Sequence, residues 1–364
     1  MNPNATRTRT RTTMNTTNTH AVRNAMNTNT NATPKTTANA NTNRTATANL
    51  PFARMTAGSV LVAALLLGGC GPTFDPASLI KTTRVLGARV EVDGAPDRAM
   101  PKPGETASVT WLLTSPQATP PVAWVFALCA PGTEGGKTSL SCENAPVALF
   151  QGTQNPPRVS ITIPAADALG TATSLLLYGE LCAGPDSTPT FDPENGIPRC
   201  TGGGTGTSAS VLISLQRGAD TNHNPTAERA FTFDGQPWAP RVAGDDPCVS
   251  GPRVSAASKD HIIGNLIEGT DRESYSALMG DPPVATPTRE NLQISQFTTA
   301  GELKSQFSFV EAADDNPQTT VTVKWNTPKA ADVPATGLPV TFTFVVRDNR
   351  GGVDWTTRAA CVVP

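Results

Sequence analysis

The sequence predicts an all-β protein, and three observations carry that prediction. Apolar residues recur at every second position in run after run, the mark of strands with one face packed and one face wet. The 33 Pro and 30 Gly fall mostly between those runs, where turns are needed. Segments with helical spacing are few and short.

The strands follow in chain order. Residues 106–113 put Ala107, Val109, Trp111 and Leu113 on one face, and 158–163 alternate through Val159, Ile161 and Ile163. Residues 208–215 alternate through Val211, Ile213 and Leu215, 320–325 through Val321, Val323 and Trp325, and 339–346 through Val340, Phe342, Phe344 and Val346. Two runs, 122–128 (VAWVFAL) and 175–181 (LLLYGEL), are apolar on both faces, as central strands covered on two sides would be. Helix is expected only in the second half. Residues 259–266 space Ile262, Ile263 and Leu266 helically behind an Asp260 cap, and 271–278 suit a turn or two.

The amino-terminal part has a different composition. Residues 1–54 are a low-complexity leader, with sixteen Thr and twelve Asn in the first fifty positions, and disorder is expected there. Residues 55–69 form a short apolar run behind Arg54, too short to span a bilayer, that ends in small residues before Cys70. This reads as the h-region of a secretion signal. Seven Lys or Arg and no Asp or Glu precede Cys70, which leaves 21 basic against 30 acidic residues beyond it. The mature part is therefore acidic by about nine charges, which argues against a nucleic-acid partner.

The tetrapeptide Leu67-Gly68-Gly69-Cys70 resembles the lipobox of bacterial lipoproteins. That resemblance implies cleavage before Cys70, acylation of this residue including palmitate, and a membrane held through the lipid. Gly71 is not the aspartate that retains lipoproteins in the inner membrane, so the resemblance favours the outer membrane. Residues 70–83 would be a lipid-anchored tether, reaching roughly 20 Å if flexible. The segments Arg84–Asp93 and Pro103–Trp111 are similar to the first two strands of bacterial Ig-like domains. The turn after Arg347, Asp348-Asn349-Arg350-Gly351-Gly352, resembles the closing hairpin of Ig-like and cadherin-like modules.

About 295 residues after Cys70 suit two sandwiches in tandem. Residues 84–218 are expected to form one Ig-like sandwich, 219–226 a linker, and 227–364 a second, Ig-like or cadherin-like sandwich. The linker Asp220-Thr221-Asn222-His223-Asn224-Pro225 resembles the calcium-binding joint between cadherin repeats. Asp220, Asn222 and Asn224 are the hard oxygen ligands this implies. His223 stands where the joint carries a second acid, and a polar interdomain turn with no cofactor is the simpler reading.

Six cysteines remain, Cys129, Cys142, Cys182, Cys200, Cys248 and Cys361, and an even number in an exported chain implies disulfides. A boundary near residue 220 pairs Cys248 with Cys361. In the first module, two local loops, Cys129–Cys142 and Cys182–Cys200, are expected. The crossed set, Cys129–Cys182 with Cys142–Cys200, stays open.

Catalytic motifs are scarce, and no enzyme is expected. Histidines number three, and His20 leaves with the leader. Asp260-His261 lies near Ser258, but a solvated loop histidine is the expectation. No G-x-S-x-G elbow, HExxH or P-loop occurs, and the glycine-rich 201–207 precedes a strand, not a helix. Asp245-Asp246 and Asp314-Asp315 read as turn formers, and Trp111, Trp124 and Trp325 as core, with Trp238 and Trp355 the two to check for exposure. The expected role is a non-catalytic structural or interaction module at the cell envelope, binding protein or glycan through loops and edge strands. The alternatives are an envelope-anchored hydrolase, using His223 or His261 with acids, and a calcium-stiffened tandem repeat.

Overall fold

The period-two runs all form strands, and among the described residues no helix exceeds four residues. The structure is a computed structural model and describes residues 75–364, apart from 118, 135–136, 185, 193–196, 280–281 and 283. The leader, the apolar run and Cys70 lie outside the described residues.

The first eleven strands are β1 (Arg84–Val92), β2 (Thr106–Thr114), β3 (Val122–Cys129), β4 (Pro131–Glu134), β5 (Lys137–Cys142) and β6 (Ala148–Gly152), then β7 (Arg158–Thr162), β8 (Ser174–Ala183), β9 (Thr188–Phe191), β10 (Pro198–Thr201) and β11 (Thr205–Ser214). A three-stranded sheet, β1-β2-β7, and a four-stranded sheet, β11-β8-β3-β6, contribute the inward residues of one hydrophobic core. Trp111 of β2 stacks on Phe126 of β3, ring centroids 5.0 Å apart and nearly parallel, so the two sheets meet through aromatic faces. Strands β3 and β8 are the doubly apolar runs, and both are interior to their sheet, as their composition requires. Gly179 sits where a Cβ would come within 2.0 Å of the Val125 carbonyl oxygen, so no side chain fits there.

The second set is β12 (Phe231–Phe233), β13 (Gln236–Pro237), β14 (Arg253–Ser255), β15 (His261–Glu268), β16 (Ser274–Met279) and β17 (Val284–Arg289), then β18 (Leu292–Thr298), β19 (Glu302–Leu303), β20 (Phe307–Val310), β21 (Gln318–Asn326), β22 (Leu338–Arg347) and β23 (Val353–Val363). Two five-stranded sheets, β13-β12-β15-β21-β19 and β14-β23-β22-β18-β20, enclose a second core built on Trp238, Trp325, Phe342 and Phe344. Burying side chains of this size contributes about 1.5–3 kcal/mol each.

The two expected helices are corrected to strands. Residues 261–268 form β15, antiparallel to β21, with Ile263, Asn265 and Ile267 buried and Ile262 turned outward. Inward Asn265 interrupts the apolar alternation, and the flanking isoleucines mimic helical spacing. Residues 269–271 make one 3₁₀ turn, after which the chain enters the β16–β17 hairpin.

Ser78, Leu79 and Ile80 fall in the stretch expected to be a tether. Instead, the Ile80 N–H donates to the Thr298 carbonyl at 2.8 Å and the Thr298 N–H to the Ser78 carbonyl at 2.9 Å. Ile80 is buried with Leu86, Phe297, Val345 and Val353, a small cluster that packs β1 against the β18-β22-β23 sheet. Disulfides join Cys129–Cys142, Cys182–Cys200 and Cys248–Cys361, the two local loops and the long closure, and the crossed set is not formed.

Candidate functional site

Two clusters of polar side chains are more than surface decoration. The first lies where residues 221–224 pass the β22–β23 turn. Asn222 is fully buried, and its Nδ2 donates to Asp348 Oδ2 at 2.8 Å. Asp348 Oδ1 in turn accepts the N–H groups of Arg350 and Gly352 at 2.7 and 2.9 Å. A Cβ on Gly352 would fall within 2.1 Å of that carboxylate, which explains the second glycine of the turn. Arg350 reaches Glu290 Oε1 at 2.9 Å, Glu273 Oε2 at 3.2 Å and the Thr221 carbonyl at 2.6 Å, with its guanidinium 4.2 Å from the Tyr275 ring centroid. His223 Nδ1 is hydrogen-bonded to Glu273. Two carboxylates, Glu273 and Glu290, thus share the Arg350 guanidinium, while Asp348 is held by the backbone N–H of the same residue. Burial pushes Glu290 up to about 7, helped by the charges of Asp348 and Glu273. Burial also raises Asp348, against the pull of its hydrogen bonds.

The three expected calcium ligands fall at this junction but do not form an oxygen cage. Asn224 spends both ends of its amide, donating to the Val90 carbonyl at 2.7 Å and accepting the Val353 N–H at 3.0 Å. Asn222 Oδ1 is buried without a partner, and Asp220 is exposed. Among the described residues no three His, Cys, Asp or Glu side chains gather as a metal site. The set does not fit calcium; it ties β1, the linker and β23 together.

The second cluster lies at one end of the second core. Asp234-Gly235 is the two-residue loop between β12 and β13, with both residues at positive φ, 50° and 79°, as a type I′ turn demands. The turn aims the Asp234 carboxylate at the start of β15, where Oδ1 accepts the Ile262 N–H at 2.8 Å and Oδ2 lies 2.7 Å from His261 Nδ1. On the other side of the ring, His261 Nε2 is 2.5 Å from Ser258 Oγ. Phe233 stacks on the imidazole with centroids 5.5 Å apart, and Trp325 packs at 5.9 Å. A carboxylate on Nδ1 fixes the tautomer that leaves Nε2 free to accept the serine proton. The Ser258 hydroxyl has a second acceptor in reach, the Ser255 carbonyl at 2.8 Å.

His261 is therefore not the solvated loop histidine expected from sequence. It is mostly buried, lies on a strand and takes its acid from Asp234, 27 residues upstream, rather than from its neighbour Asp260. Asp260 makes an exposed ion pair with Lys324 at 3.5 Å. The sequence signal for this arrangement was Phe233-Asp234-Gly235-Gln236, a hairpin turn that delivers a carboxylate to the neighbouring strand.

The other sites considered from sequence are structural. Asp246 Oδ1 caps the short helix Pro247–Ser250 by accepting the Cys248 N–H at 2.8 Å. Asp314 accepts from Asn316 of its own loop and from Thr319 at the start of β21. Trp238 is buried and donates its indole N–H to the Ala359 carbonyl at 2.9 Å, while Trp355 packs half-buried against the cluster around Ile80. Exposed aromatic surface occurs instead on β20, an edge strand, where Phe307 and Phe309 stand side by side with ring centroids 6.5 Å apart. The chain matches no known family model, and no curated protein matches it.

Proposed function

We propose that this is an exported, lipid-anchored cell-envelope protein, most consistent with the outer membrane, that serves as a stiff structural and interaction module. The observation that carries the interaction role is β20. It is the outer strand of its sheet among the described residues, and it presents Phe307 and Phe309 to solvent. Edge strands are normally blunted with charge, proline or a bulge. An outer strand with two exposed phenylalanines suits a protein partner that adds a strand, its side chains seated against the rings. The stiffness rests on the Asn222–Asp348 junction, and export is supported by the three bridges, which consume all six cysteines after position 70.

The test places a photo-crosslinking residue at position 309 of the full chain in its native envelope. A discrete protein adduct, lost when the crosslinker sits at exposed Val242, supports the reading; no adduct at 309, or the same adduct at both positions, overturns it. Labelled palmitate tests the anchor separately. Incorporation that disappears in Cys70→Ser is expected, and an unlabelled wild-type chain in the soluble fraction would remove the lipid.

A further inference from the structure

We infer that Ser258, His261 and Asp234 form a serine nucleophile site that cleaves esters carrying a small apolar acyl group. This goes beyond the interaction role and uses a different end of the molecule's second core from β20. Three observations carry it. The hydrogen-bonded order is carboxylate, imidazole, hydroxyl, with the imidazole held between 2.7 and 2.5 Å contacts and stacked on Phe233. That order lets His261 act as base toward Ser258, while Asp234 holds the ring and its tautomer.

The backbone around the serine is also strained. Four non-glycine residues of the described chain have positive φ, and three of them, Asp234 (50°), Ala257 (56°) and Asp260 (60°), belong to this cluster. Asp234 sits in a turn that calls for that conformation. Ala257 has no such excuse, because an alanine gains nothing in the left-handed region and is strained there. The strain presents Ser258 at a tight turn, its N–H donated to Thr327 Oγ1 at 2.8 Å.

Finally, the serine opens onto space. Ser258 and its neighbours Ala257 and Lys259 line a groove of about 640 Å³ together with apolar Leu79, Ala300, Pro328 and Leu338 and with charged Lys81, Glu302, Lys329 and Asp332. Its apolar lining suits a short acyl chain. Among the described residues the Lys259 N–H, next in chain after the serine, meets no protein acceptor, so it is free to donate to an oxyanion.

The chemistry balances without a further reagent. The Ser258 Oγ lone pair attacks the ester carbonyl carbon while its proton passes to His261 Nε2. The tetrahedral intermediate expels the alkoxide, which takes that proton, and leaves an acyl–serine ester. Water then attacks, giving its proton to Nε2; the C–Oγ bond breaks and the proton returns to Oγ. Ser258 and His261 are the catalytic residues, and Asp234 is a positioning residue.

The test uses the purified full chain with a fluorophosphonate probe and with p-nitrophenyl butyrate. The serine oxygen would displace fluoride from phosphorus, its proton leaving with the fluoride through His261. One adduct mapping to Ser258 is expected, absent in Ser258→Ala and slowed 100-fold or more in His261→Gln. Asp234→Asn should lower kcat for the butyrate ester with KM little changed, which a merely structural role would not produce. Near-UV circular dichroism and the melting curve report whether each variant keeps the fold. If His261→Gln does not fold, the Ser258→Ala and Asp234→Asn comparison decides. The inference is overturned by a folded wild-type chain without adduct at Ser258, or by labelling that is equal in the wild type and in folded His261→Gln or Asp234→Asn.

Discussion

Asn222 and Asp348, 126 residues apart, share a 2.8 Å hydrogen bond while neither exposes more than 1% of its surface. One comes from the polar segment that follows β11, the other from the turn between the last two long strands, so the bond fastens the passage between the two cores. Removing one partner of a buried pair costs more than the bond itself, because the other is left dry and unsatisfied. Asn222→Ala should lower unfolding stability by about 1–3 kcal/mol, read from the denaturant midpoint at constant m. Asn222→Asp places a second carboxylate on Asp348, and its loss should be larger at pH 8 than at pH 5. Equal losses at both pH values would mean that the two groups are not in contact.

Glu290 predicts an unusual pH dependence. Its carboxyl titrates near 7 in the folded chain, chiefly through burial, against an ordinary value of 4.5. Between those two pH values the folded state holds a proton that the unfolded chain has lost. Stability from this group is therefore greatest below pH 4.5 and declines as pH rises, with the full cost reached above about 7. The cost is roughly 3 kcal/mol at 1.36 kcal/mol for each pH unit. Asp348 shifts in the same direction and Glu105, held down by Arg98, in the opposite one, so the isolating comparison is Glu290→Gln. Urea unfolding from pH 4.5 to 8.5 should show a flatter profile in that variant, with the difference from wild type vanishing at the acidic end. Parallel profiles would dismiss the buried carboxylate as the cause.

Arg358 is wholly buried on β23, with its guanidinium 4.4 Å from the Phe231 ring centroid and hydrogen-bonded to Glu228 Oε1 at 2.7 Å and the Trp238 carbonyl at 3.1 Å. Glu228 is half in water and can turn outward, whereas the guanidinium cannot. The prediction is therefore asymmetric. Glu228→Gln should cost little more than 1 kcal/mol, and Arg358→Ala about 3–5 kcal/mol, since it opens a cavity and strands acceptors. Arg358→Met fills the space and should recover part of the loss. A ranking in which Glu228→Gln is the worst of the three would show that the charge pair, not the packing, dominates.

How much of this was legible in sequence follows from local physics. The strands around Trp111, Ile161, Ile213 and Phe342 declared themselves because one face is dry and the other wet, and alternation records that. β15 did not, since Ile262 faces out and Asn265 faces in, which breaks the code where it would have been read. The Asp–His–Ser order was hidden for another reason. Sequence neighbours suggested Asp260, but in a sheet the partner of His261 is set by register and by the hairpin carrying Asp234. The linker was legible as polar, while its chemistry was not: the residue types that bind calcium also bridge backbones, and Asn224 does the latter.

The Cys248–Cys361 bridge closes a separation of 113 residues and ties the short helix after Asp246 to the last strand. In the chain-entropy description such a loop contributes about 4–5 kcal/mol, against about 3 kcal/mol for each of the two local bridges. Cys248→Ser with Cys361→Ser should thus lower the denaturant midpoint more than either local pair does. The surroundings make a second, independent check available. Gly337 has φ +92°, and a Cβ there would meet Cys361 Sγ at 2.8 Å and Cys248 Sγ at 3.0 Å. Gly337→Ala should therefore destabilise the oxidised chain by about 1–3 kcal/mol through both overpacking and backbone strain. In the double serine variant, the smaller and unbonded oxygens relieve the overpacking and leave the strain. The penalty for Gly337→Ala should then shrink but not vanish. An unchanged penalty would place its whole origin in the backbone, and a vanished one would place it in contact with the sulfurs.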